Sequence, residues 1–200
     1  MKKTIFGATA VGIILFSAFK EKHIENYKAD TTLSSMEWFA EKVGGKHNGI
    51  ITLYGGTISN DHGNLSAVFE MDMVSIACKD MTGEYAAKMD KHLKSDDFFG
   101  VEKFPKAKFV STSVAPIKDA KPGENTHTVK GNLTIKDKTN EITFDAVIKE
   151  EGGKIACVGT AIVDRSKYDI KYGSKTFFPE IGDKMINDEF KVKFSVVAVK

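Results

Sequence analysis

Two segments of strict alternation, Thr128 to Lys136 and Glu141 to Lys149, constrain this chain more than any other feature. In the first, Val129, Gly131, Leu133 and Ile135 fall on one face, opposite Thr128, Lys130, Asn132, Thr134 and Lys136. The second sets Ile142, Phe144, Ala146 and Ile148 against Glu141, Thr143, Asp145 and Lys149, with only Val147 breaking the polar face. A period of two over this length is a β-strand with one dry side and one wet side. The run Asp137-Lys138-Thr139-Asn140 between them is polar, so the pair reads as a β-hairpin that needs a dry interior.

The rest of the chain repeats the theme less cleanly. Tyr27 to Phe39 reads as a first strand with imperfect alternation, and Asn48 to Ile58 as a second, whose Gly49, Gly55 and Gly56 suggest a bend or bulge. After the turn signal from Ser59 to Asn64, Leu65 to Ile76 places Leu65, Ala67, Phe69, Met71 and Met73 on one side. Between Asp80 and Lys94 the period changes: Met81, Tyr85, Met89 and His92 or Leu93 recur at helical spacing, which predicts a short amphipathic helix covering an open end or face of the sheet. Strand character resumes at Lys108 to Val114, in the hairpin, at Ile155 to Val163 and at Phe190 to Val199; Asp164 to Asp188 is irregular. The expected fold is all-β, an eight-stranded antiparallel barrel with a short α-helix, because closure removes the exposed edges of an open sheet of that size.

Two hundred residues suit one well-buried domain. Lys2 and Lys3 precede an apolar run from Ile5 to Phe19, the layout of a secretory signal and short of the about 20 residues a membrane-spanning helix needs. Residues 1–20 are therefore read as a signal peptide, with a retained inner-membrane anchor through residues 5–19 as the alternative, and residues 21–200 as the barrel domain. The expected location is periplasmic or secreted. Without the leader, 26 basic side chains face 27 acidic ones, and Arg165 is the only arginine, so nucleic acid is not an expected partner. Export would permit a disulfide between Cys78 and Cys157; two small buried thiols are the equal alternative.

No catalytic constellation emerges. His23, His47, His62, His92 and His127 are dispersed without metal-motif spacing, no serine lies in a G-x-S-x-G elbow, and Gly55-Gly56 opens no phosphate-binding loop. Asp164, Asp169, Glu180 and Asp183 around Arg165 read as a structural ion-pair group. The reading is therefore a non-enzyme without cofactor or metal. Eleven of the fourteen phenylalanines lie beyond the leader. Phe69, Phe109, Leu133, Ile135, Ile142, Phe144 and Phe194 are the lumen candidates, and Phe98, Phe99, Phe177 and Phe178 fall in irregular segments suited to a mouth, with Arg165 as a polar contact there. Burial of an alkyl tail contributes about 0.8 kcal/mol per methylene, so such a lumen would hold a long apolar ligand with few specific contacts. Periodicity alone does not separate a hollow barrel from a packed envelope protein that binds a partner through its outer face, and a small-molecule hydrolase is a third, weaker reading.

The segment His92-Leu93-Lys94-Ser95-Asp96-Asp97-Phe98-Phe99, then Glu102-Lys103-Phe104-Pro105 and Phe109-Val110-Ser111, resembles the central signature of the YceI-like family. Gly131 to Ile135, Thr139, Ile142-Thr143-Phe144-Asp145 and Asp164-Arg165-Ser166 are similar to its later motifs, in matching order, and the resemblance runs from about Tyr27 to the C-terminus. It implies an exported, lipocalin-like barrel that binds a polyisoprenoid or other long-chain lipid in its lumen, with transient membrane contact. It also implies stress-associated periplasmic relatives and no catalytic residues. His47 corresponds to a polar position of the family, in altered surroundings from Gly45 to Gly56; a longer segment from Tyr172 to Pro179 is a second departure.

Overall fold

A computed structural model describes residues 24–200; the signal peptide or anchor expected over residues 1–20 lies outside them. Eight strands form a closed antiparallel barrel in chain order: β1 (Glu25–Lys42), β2 (Gly45–Asp61), β3 (Asn64–Cys78), β4 (Lys106–Pro116), β5 (His127–Ile135), β6 (Lys138–Glu151), β7 (Lys154–Asp164) and β8 (Glu189–Val199), which pairs back onto β1. The helix α1 (Gly83–Lys94) follows β3, with Thr82 at its N-cap, and buries Leu93. Together with residues 95–105 and the 165–188 connection, it covers one end of the barrel. The other end carries the short turns after β2 and β6 and the loop after β4.

The hairpin predicted from alternation is β5–β6, tighter than expected. Lys136 and Asp137 both take positive φ, 49° and 63°, the two-residue geometry that matches strand twist. Thr139 and Asn140 thereby join the ladder opposite Thr134 and Leu133. From β5 through β8 the strand registers run without interruption, and Val129, Leu133, Ala146, Ile155, Val163, Val196 and Ala198 are buried at the period expected.

The half from β1 to β4 differs. Register shifts fall between Asp30 and Ser35 against β8, between Ile50 and Thr52 and again between Leu53 and Gly55 against β3, and between Ser111 and Ser113 against β5. Each shift inverts which side of the strand faces inward. Along β1 the buried residues are Tyr27 and Ala29, then Trp38; along β2, Ile51 and Leu53, then Ile58; along β3, Met71 and Met73, then Ile76 and Cys78.

Three of the irregularities, at Asp30–Ser35, at Ile50–Thr52 opposite Asp72–Ala77, and at Ser111–Ser113, share one chemistry. Asp30 accepts from the Thr32 N–H while the Ser34 hydroxyl donates to the Asp30 carbonyl and accepts the Val197 N–H of β8. Asp72 likewise accepts from the Val74 N–H while Ser75 donates to the Asp72 carbonyl and accepts the Thr52 N–H of β2. In β4, Ser111 Oγ accepts the Ala67 N–H of β3. A bulge interrupts the ladder beside it; here a serine hydroxyl replaces the missing carbonyl, so a backbone donor does not go unpaired.

Candidate functional site

The barrel encloses a cavity of about 130 Å³. Every lumen candidate lines it: Phe69, Phe109, Leu133, Ile135, Ile142, Phe144 and Phe194. Met36, Met71 and Met73 add flexible side chains, and among the described residues of the lining only Ser66 and Cys157 carry a hydroxyl or thiol. Rings cross the interior in series, Phe109 to Phe144 at 5.6 Å and Phe144 to Phe194 at 5.3 Å between centroids. Two glycines let those rings lie against the wall. A Cβ on Gly131 would stand 2.4 Å from Phe109 Cζ, and one on Gly159 would stand 2.7 Å from Phe194 Cζ. Space along the axis thus depends on the absence of two methyl groups.

The lining reaches Leu65, Ser66, Ala67 and Val114 at the end remote from the helix. These residues lie where the β3/β4 ladder ends. β3 pairs with β4 only over Val68–Asp72 opposite Lys106–Val110. Beyond Val68 the single backbone-to-side-chain bond from Ala67 N to Ser111 Oγ holds the seam. On the facing side the same end is filled by Tyr27, Ile58, Ile155 and Ala198. The Tyr27 hydroxyl lies 2.6 Å from Glu150 Oε1 and 2.9 Å from Glu25 Oε2, Asn60 Nδ2 donates to Glu150, and Lys200 Nζ pairs with Glu25 at 2.7 Å. Hydrogen bonding to Glu150, then to Glu25, raises the Tyr27 pKa, so the phenol stays neutral.

The residues expected at a mouth lie at the helix end of the barrel or on its outer surface. Phe98 and Phe99 are buried and plug the helix end together with Leu93, Val101, Tyr168 and Ile170. Phe99 touches the cavity from below. Arg165, 4% exposed, ties the irregular connection together. Its guanidinium donates to the carbonyls of Asn187, Ile170, Tyr172 and Ile186, and Nη2 lies 3.2 Å from Asp188 Oδ1. It is thus a strut; its ion-pair partner is Asp188, and of the acidic residues expected around it Asp164 adds a further charge interaction. Phe178 is half exposed on the outer surface, and Phe177 packs under Lys171. The long departure from Tyr172 therefore wraps the closed end, where Tyr172 meets His92 edge-on at 4.4 Å.

His47 is also away from the lumen, in a cluster that sequence spacing did not reveal. His47 Nδ1 lies 2.9 Å from Asp80 Oδ2, and Cys78 Sγ lies 3.1 Å from Asp80 Oδ1. Burial pushes the Asp80 carboxyl up, but hydrogen bonds from the Asn48 N–H, Cys78 and His47 outweigh it and bring the pKa down to about 2. The two cysteines are both free. Cys78 sits in this cluster on β3, whereas Cys157 lines the cavity on β7, where burial pushes its thiol up to about 11. Their strands are not neighbours in the barrel, and the second of the two cysteine readings, separate buried thiols, describes the structure.

The fold has close counterparts. BcnA from Burkholderia cenocepacia matches with a TM-score of 0.65 at 22% identity, covering 86% of this chain and 99% of that one. A polyisoprenoid-binding domain from Saccharophagus degradans matches with a TM-score of 0.61 at 15% identity, covering 86% and 97%. In sequence, a UPF0312 protein of Pseudomonas putida strain W619 is 34% identical over 158 residues, 76% of each chain. A YceI-like domain is matched over residues 27–198, nearly all of the described barrel, and the chain belongs to the YceI-like family.

Proposed function

We propose that this barrel binds the tail of a polyisoprenoid or another long-chain amphiphile in its lumen, without catalysis, and carries or stores it. The observation behind this reading is the continuous apolar lining from Phe99 to Leu65 around an internal cavity. The Saccharophagus degradans domain of the same fold is a polyisoprenoid-binding domain, which supports it. Engineered apolar cavities of ~150 Å³ stay dry and take up benzene; a cavity of about 130 Å³ matches a group of that size. A longer tail enters as the lining yields, and Met36, Met71 and Met73 supply side chains that re-pack at low cost. Each methylene taken from water contributes about 0.8 kcal/mol.

The β3/β4 seam is the entrance in this reading, because its backbone pairing ends where the cavity lining reaches the turn end. The head group then stays outside, near His127, Glu150 and the loop after β4, and not at Phe98 or Arg165. Brief contact with a membrane surface would deliver the tail. Export through a leader over residues 1–20 completes the proposal, with N-terminal sequencing of the mature product as its check: a start near residues 19 to 21 supports it, an intact leader supports the anchor.

Native mass spectrometry of gently purified protein, followed by titration with a long-chain isoprenoid, tests the binding. Saturable uptake that protects Cys157 from a small apolar thiol reagent, and that falls at least about tenfold in Phe144→Gln, is the expected result. Absence of co-purified lipid together with absence of saturable uptake would falsify the reading and favour a packed barrel.

A further inference from the structure

The His47–Cys78–Asp80 cluster lies outside the lumen and has no part in tail binding. One nitrogen, one sulfur and one carboxylate oxygen from these side chains all lie within 4.8 Å of one another. Zinc-class ions bind such atoms at about 2.0 to 2.3 Å, which in tetrahedral geometry separates neighbouring ligand atoms by ~3.3–3.7 Å. His47 Nδ1 lies 2.9 Å from Asp80 Oδ2 and Cys78 Sγ lies 3.1 Å from Asp80 Oδ1, so the nitrogen and the sulfur approach the two oxygens of one carboxylate, each within a few tenths of an ångström of that spacing. A metal held by one of these oxygens replaces the hydrogen bond to that oxygen as a ligand edge, and a small rotation of the carboxylate brings the same oxygen toward the other ligand.

The surroundings hold the three groups in place. Asn48 N–H donates to Asp80 Oδ1 at 3.0 Å, and Asp90 on α1 accepts the Cys78 N–H at 2.7 Å. These are the orienting contacts from outside the ligand set on which metal sites depend. Cys78 is buried, but the His47 and Asp80 side chains are 23% and 26% exposed, so an ion has a path from solvent. The mixture of thiolate, imidazole and carboxylate selects against magnesium and calcium, which prefer all-oxygen shells.

We propose that His47 Nδ1, Cys78 Sγ and one Asp80 oxygen bind a borderline-soft divalent cation of the zinc class, with water as the fourth ligand. On binding, the Cys78 thiol proton leaves to solvent as the sulfur–metal bond forms, and the imidazole binds as the neutral ring with its proton on Nε2. The ion ties β2 to β3 and, through Asp90, to α1. It braces the covered end of the barrel, where the phase of β3 has just inverted.

The test uses the untagged full chain, reduced and freed of metal, titrated with Co²⁺ and then Zn²⁺. The expected result is one equivalent of Co²⁺ with a thiolate-to-metal charge-transfer band that Zn²⁺ abolishes, release of a proton, and a rise in Tm. Cys157→Ser retains the band, while Cys78→Ser loses it and His47→Ala and Asp80→Asn weaken binding by roughly tenfold or more. A wild-type protein without the charge-transfer band overturns the proposal whatever the variants do. Persistence of the band in a folded Cys78→Ser, with loss in Cys157→Ser, overturns it equally, since the thiolate would then belong to the lumen.

Discussion

The halves of this barrel are built to different standards. From β5 to β8 the registers are uninterrupted, the alternation of sequence becomes alternation of burial, and each strand is laced to the next. From β1 to β4 every strand carries a shift, three serine hydroxyls complete the hydrogen bonding, and the β3/β4 ladder stops short of the turn end. The features that distinguish the molecule chemically, the short β3/β4 ladder and the His47–Cys78–Asp80 cluster, both lie in the irregular half. The lesson is physical: an uninterrupted ladder leaves no unsatisfied donor and no gap, so access and polar clusters arise where the ladder is broken and repaired by side chains.

That contrast can be broken experimentally. The largest effect belongs to Arg165, which anchors the connection leaving the regular half. Arg165→Ala strands four backbone carbonyls and Asp188, and urea denaturation should register a loss of about 3–5 kcal/mol. A loss below about 1 kcal/mol would mean the 165–188 wrap is not held from its centre.

Next comes Gly131→Ala in the regular half, which forces a methyl group into the Phe109 ring and the Val110 carbonyl, 2.6 Å away. Overpacking of this kind costs about 1–3 kcal/mol, and the ring it displaces moves into the lumen. Both stability and tail capacity should fall, which calorimetry and lipid titration would separate from a purely structural defect.

In the irregular half, Ser111→Ala leaves the Ala67 N–H without its partner, at a cost of about 1–3 kcal/mol. Tail exchange should accelerate while equilibrium capacity hardly changes. Ser75→Ala, which orphans the Thr52 N–H away from the seam, provides the comparison: similar destabilisation with unaltered exchange. Equal exchange rates in the two variants would remove the β3/β4 seam from the entry path.

The smallest effect is one of pH. Burial lowers the His127 pKa below its ordinary value of 6.5. The unfolded chain therefore takes up this proton before the folded one does, so stability is complete above pH 6.5 and declines as pH falls below it. His127→Gln should flatten that decline in a set of denaturation curves between pH 5 and pH 7, near the loop after β4 that the proposed entrance uses.

Legibility follows the same division. The dry face of the hairpin, Val129, Leu133, Ile135, Ile142, Phe144 and Ile148, was readable because nothing in β5 or β6 disturbs the period. The core of β1 was not, because the Asp30–Ser35 irregularity moves the inward face from Tyr27 and Ala29 to Met36 and Trp38, and a fixed period averages the two phases away. Gly55 and Gly56 did signal the bulge in β2. Phe98, Phe99 and Arg165 carry the family motifs, yet motif membership does not reveal whether a loop rims an opening or closes it; burial does.

Composition and periodicity were thus sufficient for the architecture, since eight amphipathic strands with one dry face each have few ways to bury it other than closure around a common interior. The apolar character of that interior follows from the same residues. Which end is plugged, where the seam parts, and that His47 meets Cys78 through Asp80 were decided only in three dimensions. These depend on contacts between residues 31 to 44 positions apart in the chain and on small phase shifts within strands, and hydrogen-bond geometry sets such shifts where local hydrophobicity is silent.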